Sequence, residues 1–152
     1  MSENLSTQIF RIFIRATPEQ VWQGITDPAF IRQYFHGSRV TNELRPGGRW
    51  LSTSPEGDEV WNDGEVLECD PPKRLVHSWT SMYDPQTATE PRSRVTWEIE
   101  PVDNGVSLLT MTHDQLERSP LTAVRVSGRG WTHVLSGLKT LLETGEPMGE
   151  VS

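Results

Sequence analysis

The chain has 152 residues, a formal net charge of −7 and a modest hydrophobic content of 34%, yet it contains six tryptophans. The acidic balance and the lack of any run of Lys or Arg argue against binding to nucleic acid. No stretch approaches the roughly 20 apolar residues of a transmembrane helix, so we expect no stable membrane insertion. The length suits one domain over residues 1–152, with its core at about residues 8–145.

Cysteine usage points to a reducing compartment. Cys69 is the single cysteine, so it cannot form a disulfide within the chain. The first 30 residues contain no continuous apolar segment of the kind that a secretory signal needs. We therefore predict a cytoplasmic location.

The first predicted elements are a strand and two short helices. Alternation over Gln8–Arg15 predicts a strand with one apolar face. Thr17–Gln20 is a helix-start signal, because it combines an N-cap threonine, a proline at the first helical position and a capping-box glutamine. Asp27-Pro28 repeats the signal for a second helix. The inward face of the strand is predicted to carry Phe10, Ile12 and Ile14.

Six further strands are predicted between turn signals in the middle of the chain. Gly64 lies inside one of them, which indicates a bulge or a close approach of two backbones. Asp84–Pro91 contains one apolar residue and is expected to be a solvated loop. The predicted strands are Ser38–Asn42, Arg49–Thr53, Glu59–Cys69, Arg74–Met82, Arg94–Glu100 and Val106–His113.

The last element is predicted to be one long helix over Leu121–Glu143. Its apolar or small residues recur at alternating spacings of three and four, which is the period of one helix face. Gly145 and Pro147 end it. Gly128 would remove a side chain from the inward stripe, which would either leave space for a cavity or allow close contact between helix and sheet. The stripe consists of Leu121, Val124, Gly128, Trp131, Leu135, Leu138 and Leu142, widened by Val134 and Leu141.

Several motifs, in their order and spacing, resemble the activator-of-heat-shock-protein-90-ATPase homologue-like family. The resemblance covers about residues 8–145 and implies the START-like helix-grip fold of the SRPBCC superfamily, shared with birch pollen allergen and polyketide aromatase/cyclases. In this α+β fold a curved seven-stranded antiparallel sheet surrounds a long C-terminal helix, with two short helices after strand 1 and a cavity between helix and sheet. The motifs are Thr17–Trp22, Thr26–Pro28, Arg45–Gly48, Gly64–Glu68, Pro71–Val76, Gly105–His113, Gly130–Trp131 and Leu138–Glu143.

The candidate ligand-binding residues are large apolar side chains and two histidines on predicted inward faces. In one interpretation the aromatics fill an ordinary core, and each histidine is a hydrogen-bonded core residue. In the other, the apolar residues wall a cavity while His77 and His113 orient a ligand. The family more often carries an aromatic where this chain has His77. The candidates are Trp50, Trp61, His77, Trp79, Trp97, Met111, His113, Trp131 and Leu135.

Three functions are compatible with these patterns. The favoured one is non-enzymatic binding or sequestration of a small hydrophobic ligand, which would be a lipid or an aromatic or polyketide-like molecule. The alternatives are a cyclase, dehydratase or hydrolase that uses a cavity histidine, and a chaperone-associated protein-interaction domain. No motif predicts a metal site, a cofactor or a catalytic residue. Homodimerisation through a sheet edge or a helix face stays open.

Overall fold

The computed structural model describes residues 5–149, which form a seven-stranded antiparallel sheet and four α-helices. The sheet order is β1-β7-β6-β5-β4-β3-β2, so β1 and β2 are the edges. This is the predicted α+β helix-grip architecture. The elements are β1 (Gln8–Ile14), α1 (Pro18–Thr26), α2 (Pro28–Tyr34), β2 (Arg39–Asn42), β3 (Arg49–Thr53), β4 (Val60–Asp70), β5 (Arg74–Trp79), a 3-10 turn (Thr87–Thr89), β6 (Ser93–Pro101), β7 (Ser107–Asp114), α3 (Pro120–Val126) and α4 (Arg129–Thr144).

The two short helices start where the local sequence predicts. The Thr17 hydroxyl accepts a hydrogen bond from the backbone N–H of Gln20 at 3.2 Å, and the Gln20 side chain accepts one from the backbone N–H of Thr17 at 2.8 Å. Asp27 accepts from the backbone N–H of Ala29 at 2.9 Å and so caps α2. These caps satisfy backbone donors that helix ends leave unpaired. Both helices contact α4, which they support against the sheet.

Alternation correctly predicts which strand faces point inward. On β1, Ile14 is buried whereas Ile9 and Phe13 are exposed. On β7, Leu109 and Met111 are fully buried, because successive side chains of a strand point to opposite faces. The core therefore lies between the concave face of the sheet and α4.

Two irregularities of β4 shape the region that α4 faces. A Cβ atom added to Gly64 would lie 2.3 Å from the carbonyl oxygen of Ser78, so the predicted close approach of two backbones is confirmed. Further along, the pairing of β3 with β4 passes from Asn62 directly to Val60 and skips Trp61. Trp61 is thus the extra residue of a β-bulge, a device that changes the direction of a side chain.

The prediction of one uninterrupted C-terminal helix is wrong. Ser127 and Gly128 separate α3 from α4, and Gly128 has φ of +61° and ψ of −113°, a conformation that glycine adopts without steric cost. The break takes Leu121 and Val124 off the inward stripe, and they are 42% and 61% exposed. Gly128 is itself exposed, so its missing side chain opens no space inside.

The inward face comes from α4 alone. Its buried residues follow the predicted helical spacing and pack against the sheet. Gly145, at φ of +81°, ends α4 as predicted, and its N–H donates to the carbonyl of Leu141 at 2.8 Å. The buried apolar side chains of α4 are Trp131, Val134, Leu135, Leu138 and Leu141.

The loop between β5 and β6 is attached to the fold instead of being fully solvated. The buried Thr87 hydroxyl donates to two carbonyl groups of the same loop, at 2.8 and 3.1 Å. The Glu90 carboxylate accepts from the backbone N–H and the hydroxyl of Thr122, at 2.8 and 2.7 Å. Asp84 forms an ion pair with Arg125. Polar residues of the loop thereby attach it to α3, an arrangement that composition alone does not reveal.

Candidate functional site

A surface depression of about 450 Å³ is lined by residues that include His36, Arg129 and His133, and a second cavity, called the main cavity below, has a volume of about 410 Å³. It lies between the N-terminal half of α4, the end of α3, the residues after α2, the strands β3–β5 and the loop that follows β5. This volume falls in the range typical of sites for small organic molecules. Its lining residues are Phe35, His36, Ser52, Trp61, Asn62, Trp79, Ser81, Tyr83, Arg125, Val126, Gly130, Trp131 and Val134.

Aromatic rings form the inner wall of the cavity. The ring centroids of Trp79 and Trp131 are 5.3 Å apart, with an interplanar angle of 58°. Phe35 stacks on Trp79 at 6.2 Å and meets Trp131 edge-on at 5.9 Å. Trp61, the bulge residue of β4, adds a half-buried ring. The three packed rings hold one another in place, so the wall is preformed.

The polar side chains of the cavity fall into an inner and an outer group. Ser52, Asn62 and Ser81 are buried and line its inner part along the sheet. His36, Tyr83 and Arg125 are exposed and lie at its outer edge. The Arg125 guanidinium is paired with a carboxylate of the β5–β6 loop. The inner part therefore contains hydroxyl and amide groups but no charged side chain.

The nine predicted ligand-binding residues occupy three different environments. One group lines the main cavity, a second lines a neighbouring cavity of about 20 Å³, and a third lies in the core away from both. The smaller cavity has room for about one water molecule. The first group is Trp61, Trp79 and Trp131, of which Trp79 also borders the smaller cavity; the second is Trp50, His77 and Trp97; the third is Met111, His113 and Leu135.

His77 is a fully hydrogen-bonded core residue on β5. The indole N–H of Trp97 donates to its Nε2 at 3.0 Å, and its Nδ1 lies 3.1 Å from the carbonyl oxygen of Ser78. An indole nitrogen can only donate, so Nε2 is the acceptor and Nδ1 carries the proton. Trp50 stacks on the imidazole with centroids 4.5 Å apart and an interplanar angle of 4°.

His113, on β7, has the same arrangement with the two ring nitrogens exchanged. The indole N–H of Trp131 donates to Nδ1 at 3.0 Å, which leaves the proton on Nε2. Nε2 then donates to the Ser93 hydroxyl at 2.7 Å, and that hydroxyl donates to the carbonyl of Trp79 at 3.2 Å. Trp131 thus serves both regions, because its ring lines the cavity while its N–H holds a core histidine.

Burial keeps both histidines neutral at physiological pH. Desolvation lowers the pKa of His77 to about 4, against a smaller opposing effect of its hydrogen bond to Ser78. Desolvation also lowers the pKa of His113 to about 3, and the nearby His77 lowers it further. Neither imidazole lines the main cavity. Their geometry gives them a structural role and does not present them to a molecule in that cavity.

His36 and Asn62 are cavity residues that sequence reasoning did not select. His36 follows α2 and stacks on His133 of α4 at a centroid distance of 5.0 Å and an interplanar angle of 8°. Its exposed loop position carried no signal. Asn62 could have been selected from the sequence, because it shares the inward face of β4 with Val66 and a side-chain amide is unusual on such a face.

Residues 5–149 lack two features that would point to other functions. No group of three or more His, Cys, Asp or Glu side chains in this range is placed to hold a metal ion. In the same range, no helix has the length and apolar character needed to cross a membrane.

Solved structures with the same fold come from several organisms. CalU16 from Micromonospora echinospora is 28% identical with a TM-score of 0.72, and the match covers 93% of this chain and 76% of CalU16. Protein MLL2253 from Mesorhizobium loti is 26% identical with a TM-score of 0.74, covering 90% and 96%. PFC0360w, an Hsp90 activator from Plasmodium falciparum, is 21% identical with a TM-score of 0.70, covering 90% and 96%, which shows a shared fold.

No curated protein matches the chain. A family profile, however, matches the chain over most of the chain's length. The profile is described as activator of Hsp90 ATPase homolog 1-like protein, and it matches residues 15–143, from the end of β1 to the last turn of α4. The protein therefore belongs to the activator of Hsp90 ATPase homolog 1-like family.

Proposed function

We propose that the protein binds and sequesters a small, mainly apolar and aromatic molecule in the 410 Å³ cavity. The observation that carries the proposal is the preformed aromatic wall, in which Phe35, Trp79 and Trp131 fix one another at centroid distances of 5.3 to 6.2 Å. Rings held in this way lose little freedom when a ligand stacks on them, so more of the contact energy contributes to affinity.

Among hydrophobic ligands, the wall favours flat, ring-containing molecules over extended acyl chains. Offset or edge-on contacts between rings stabilise beyond the area that they bury. The half-buried ring of Trp61 is placed to cover a ligand from the side of β4. An aromatic or polyketide-like compound therefore fits these walls better than a lipid tail does.

The two alternative functions receive no specific support from the geometry. A cavity-histidine enzyme would need an imidazole able to exchange protons with the ligand. His77 and His113 are engaged with tryptophans and do not line the main cavity. His36 does line it, but its exposed ring stacks on His133, a contact that assigns it no part in proton transfer. A chaperone-docking role would rest on the fold of a neighbour at 21% identity, and fold alone does not assign function.

The cavity proposal is tested by filling the cavity from α3 and comparing a matched exposed change. Val126 lines the cavity, whereas Val124, two residues earlier on the same helix, is exposed. We expect Val126→Phe to weaken binding of the fluorescent probe N-phenyl-1-naphthylamine by about tenfold or more, because a ring occupies the space of the probe. Val124→Phe should leave the affinity within about twofold, since exposed positions tolerate change.

Urea unfolding of both variants, alongside the fluorescence titration, shows whether they fold. Wild-type protein that gives no fluorescence increase at micromolar probe would overturn the proposal. Equal affinities of wild type and a folded Val126→Phe would do so as well, because the probe would then occupy a different surface.

Three further points remain proposals about the whole chain. We propose that residues 1–152 form one domain, and that the protein acts in the cytoplasm, where a lone half-buried thiol such as Cys69 is common. A homodimer would use the edge strand β1, where Ile9 and Phe13 are exposed on the outer face. Size-exclusion chromatography with light scattering measures that state directly.

A further inference from the structure

The inner wall of the cavity contains an amide whose nitrogen is unpaired. Asn62 is 1% exposed, and its Oδ1 accepts a hydrogen bond from the backbone N–H of Thr80 at 3.0 Å. That contact fixes the orientation of the amide, because a backbone N–H must face the oxygen and not the NH₂ group. Nδ2 is buried and has no hydrogen-bond partner among residues 5–149. Since Asn62 lines the main cavity, this donor belongs to the cavity wall, but neighbouring atoms cover it, so a ligand atom reaches it only after a small side-chain movement.

A second donor lies on the same wall. The Ser81 hydroxyl accepts a hydrogen bond from the indole N–H of Trp79 at 3.0 Å. It makes no other hydrogen bond to residues 5–149, so its own proton is available to donate. Ser81 is fully buried, lines the cavity and forms a β-bridge with Asn62. Bridged residues of antiparallel strands lie opposite each other with their side chains on the same face, so Asn62 and Ser81 are neighbours in the cavity wall.

These donors are neutral, and no cation accompanies them. Arg125 is at the outer edge of the cavity and is paired with Asp84. A carboxylate placed beside Asn62 would be desolvated without a counter-charge, which is strongly unfavourable. A neutral carbonyl oxygen, by contrast, can accept from the amide and the hydroxyl together.

We infer that the ligand is an uncharged aromatic carbonyl compound whose oxygen accepts hydrogen bonds from Asn62 and Ser81 while its rings lie against Trp79 and Trp131. The inference rests on the proposed function, since it names the class of molecule that the same cavity takes. It assigns Asn62 as the residue that determines specificity. The aromatic wall supplies affinity for rings, and the amide selects those that carry an acceptor.

Three naphthalene probes of similar shape separate these contributions. 2-Acetonaphthone carries the carbonyl, 2-ethylnaphthalene lacks it, and 2-naphthoate replaces it with a charge. Dissociation constants are measured by ligand-observed NMR for wild type, Asn62→Leu and Asn42→Leu. Asn42 is the matched control, because its side-chain amide is likewise held by the backbone, donating to the carbonyl of Thr26 at 2.9 Å, but it does not line the cavity.

We expect the preference for 2-acetonaphthone over 2-ethylnaphthalene to fall about fivefold or more in Asn62→Leu and to stay unchanged in Asn42→Leu. Using the ratio of the two affinities cancels the difference in hydrophobicity between the probes. In wild type, 2-naphthoate should bind more weakly than the ketone.

Each contrary outcome has a distinct meaning. If both neutral probes bind but their ratio is unchanged in Asn62→Leu, the inference is overturned and the cavity function stands. Tighter binding of 2-naphthoate than of the ketone overturns the uncharged class. If neither neutral probe binds wild type, the inference and the proposed function fail together.

A measurement on the unaltered protein covers the case in which Asn62→Leu does not fold. The side-chain amide resonances of Asn62 in a ¹⁵N-labelled sample should shift further downfield on addition of 2-acetonaphthone than of 2-ethylnaphthalene, because both rings perturb the signal but only the ketone accepts a hydrogen bond. Equal responses to the two probes would overturn the inference without any variant.

Discussion

The core and the cavity wall are built from the same residue types but treat their polar atoms in opposite ways. In the core, Trp97 donates to His77 and Trp131 donates to His113, and the remaining nitrogen of each imidazole is also paired. In the cavity, the amide nitrogen of Asn62 is left unpaired beside similar aromatic rings. Tryptophan and histidine are as abundant in the closed core as at the cavity, so their number does not locate the candidate site, whereas the cavity wall is where an unpaired amide nitrogen lies beside aromatic rings.

Trp131→Ala should produce the largest effect, because this residue belongs to both regions. It is buried, its ring packs on Trp79, and its N–H satisfies His113. Removing a buried tryptophan typically lowers the free energy of unfolding by about 3–5 kcal/mol. Urea unfolding measures the loss, and a loss below about 1 kcal/mol would show that Trp131 is outside the core.

The protonation of His113 at acid pH should have an intermediate effect on the free energy of unfolding. His113 is neutral in the folded protein, where its pKa is about 3, and it regains an ordinary pKa near 6.5 on unfolding. Between these values the unfolded chain binds the extra proton, so the free energy of unfolding decreases as the pH falls below about 6.5. His113→Gln retains groups able to pair with Trp131 and Ser93 but does not titrate.

We therefore expect the stability of His113→Gln to decline less steeply than that of wild type, by about 1 kcal/mol per pH unit between pH 6 and 5. Urea unfolding at pH 7.5, 6 and 5 measures both slopes, and carboxylates common to both proteins cancel in their difference. Parallel slopes would mean that His113 is protonated equally in the folded and unfolded chains.

Trp61→Ala should have the smallest effect on stability and a selective effect on binding. The residue is half-buried in the β4 bulge and packs at the cavity rather than in the closed core. We expect a loss of about 1 kcal/mol or less in the free energy of unfolding, with about fivefold weaker binding of N-phenyl-1-naphthylamine. Unchanged probe affinity would remove Trp61 from the proposed site.

Most of the fold could be predicted because it depends on local patterns. Strand alternation placed Trp97 and Met111 inward, and capping residues located α1 and α2. The break between α3 and α4 could not be predicted in this way. The three- and four-residue spacings continue across Gly128, although its backbone leaves the helical conformation. The spacing of apolar residues therefore does not reveal that the backbone of one residue departs from the helical conformation.

The candidate site could be predicted only in part, because its character depends on contacts between distant segments. Trp61 was a predicted candidate, but the bulge that sets the direction of its side chain depends on the pairing of β3 with β4. The inward position of His113 was predictable, whereas its indole partner comes from α4. The unpaired nitrogen of Asn62 follows from a contact with Thr80, which lies 18 residues away in sequence.

The indole hydrogen bonds have a spectroscopic consequence. Trp79, Trp97 and Trp131 each donate their ring N–H to a buried side-chain acceptor. Such protons exchange with water only when the structure opens, so their NMR signals should persist long after transfer into D₂O. Trp79 and Trp131 border the main cavity and Trp97 does not. Two of these signals can therefore report occupancy of the cavity in one spectrum, while the third serves as the internal reference.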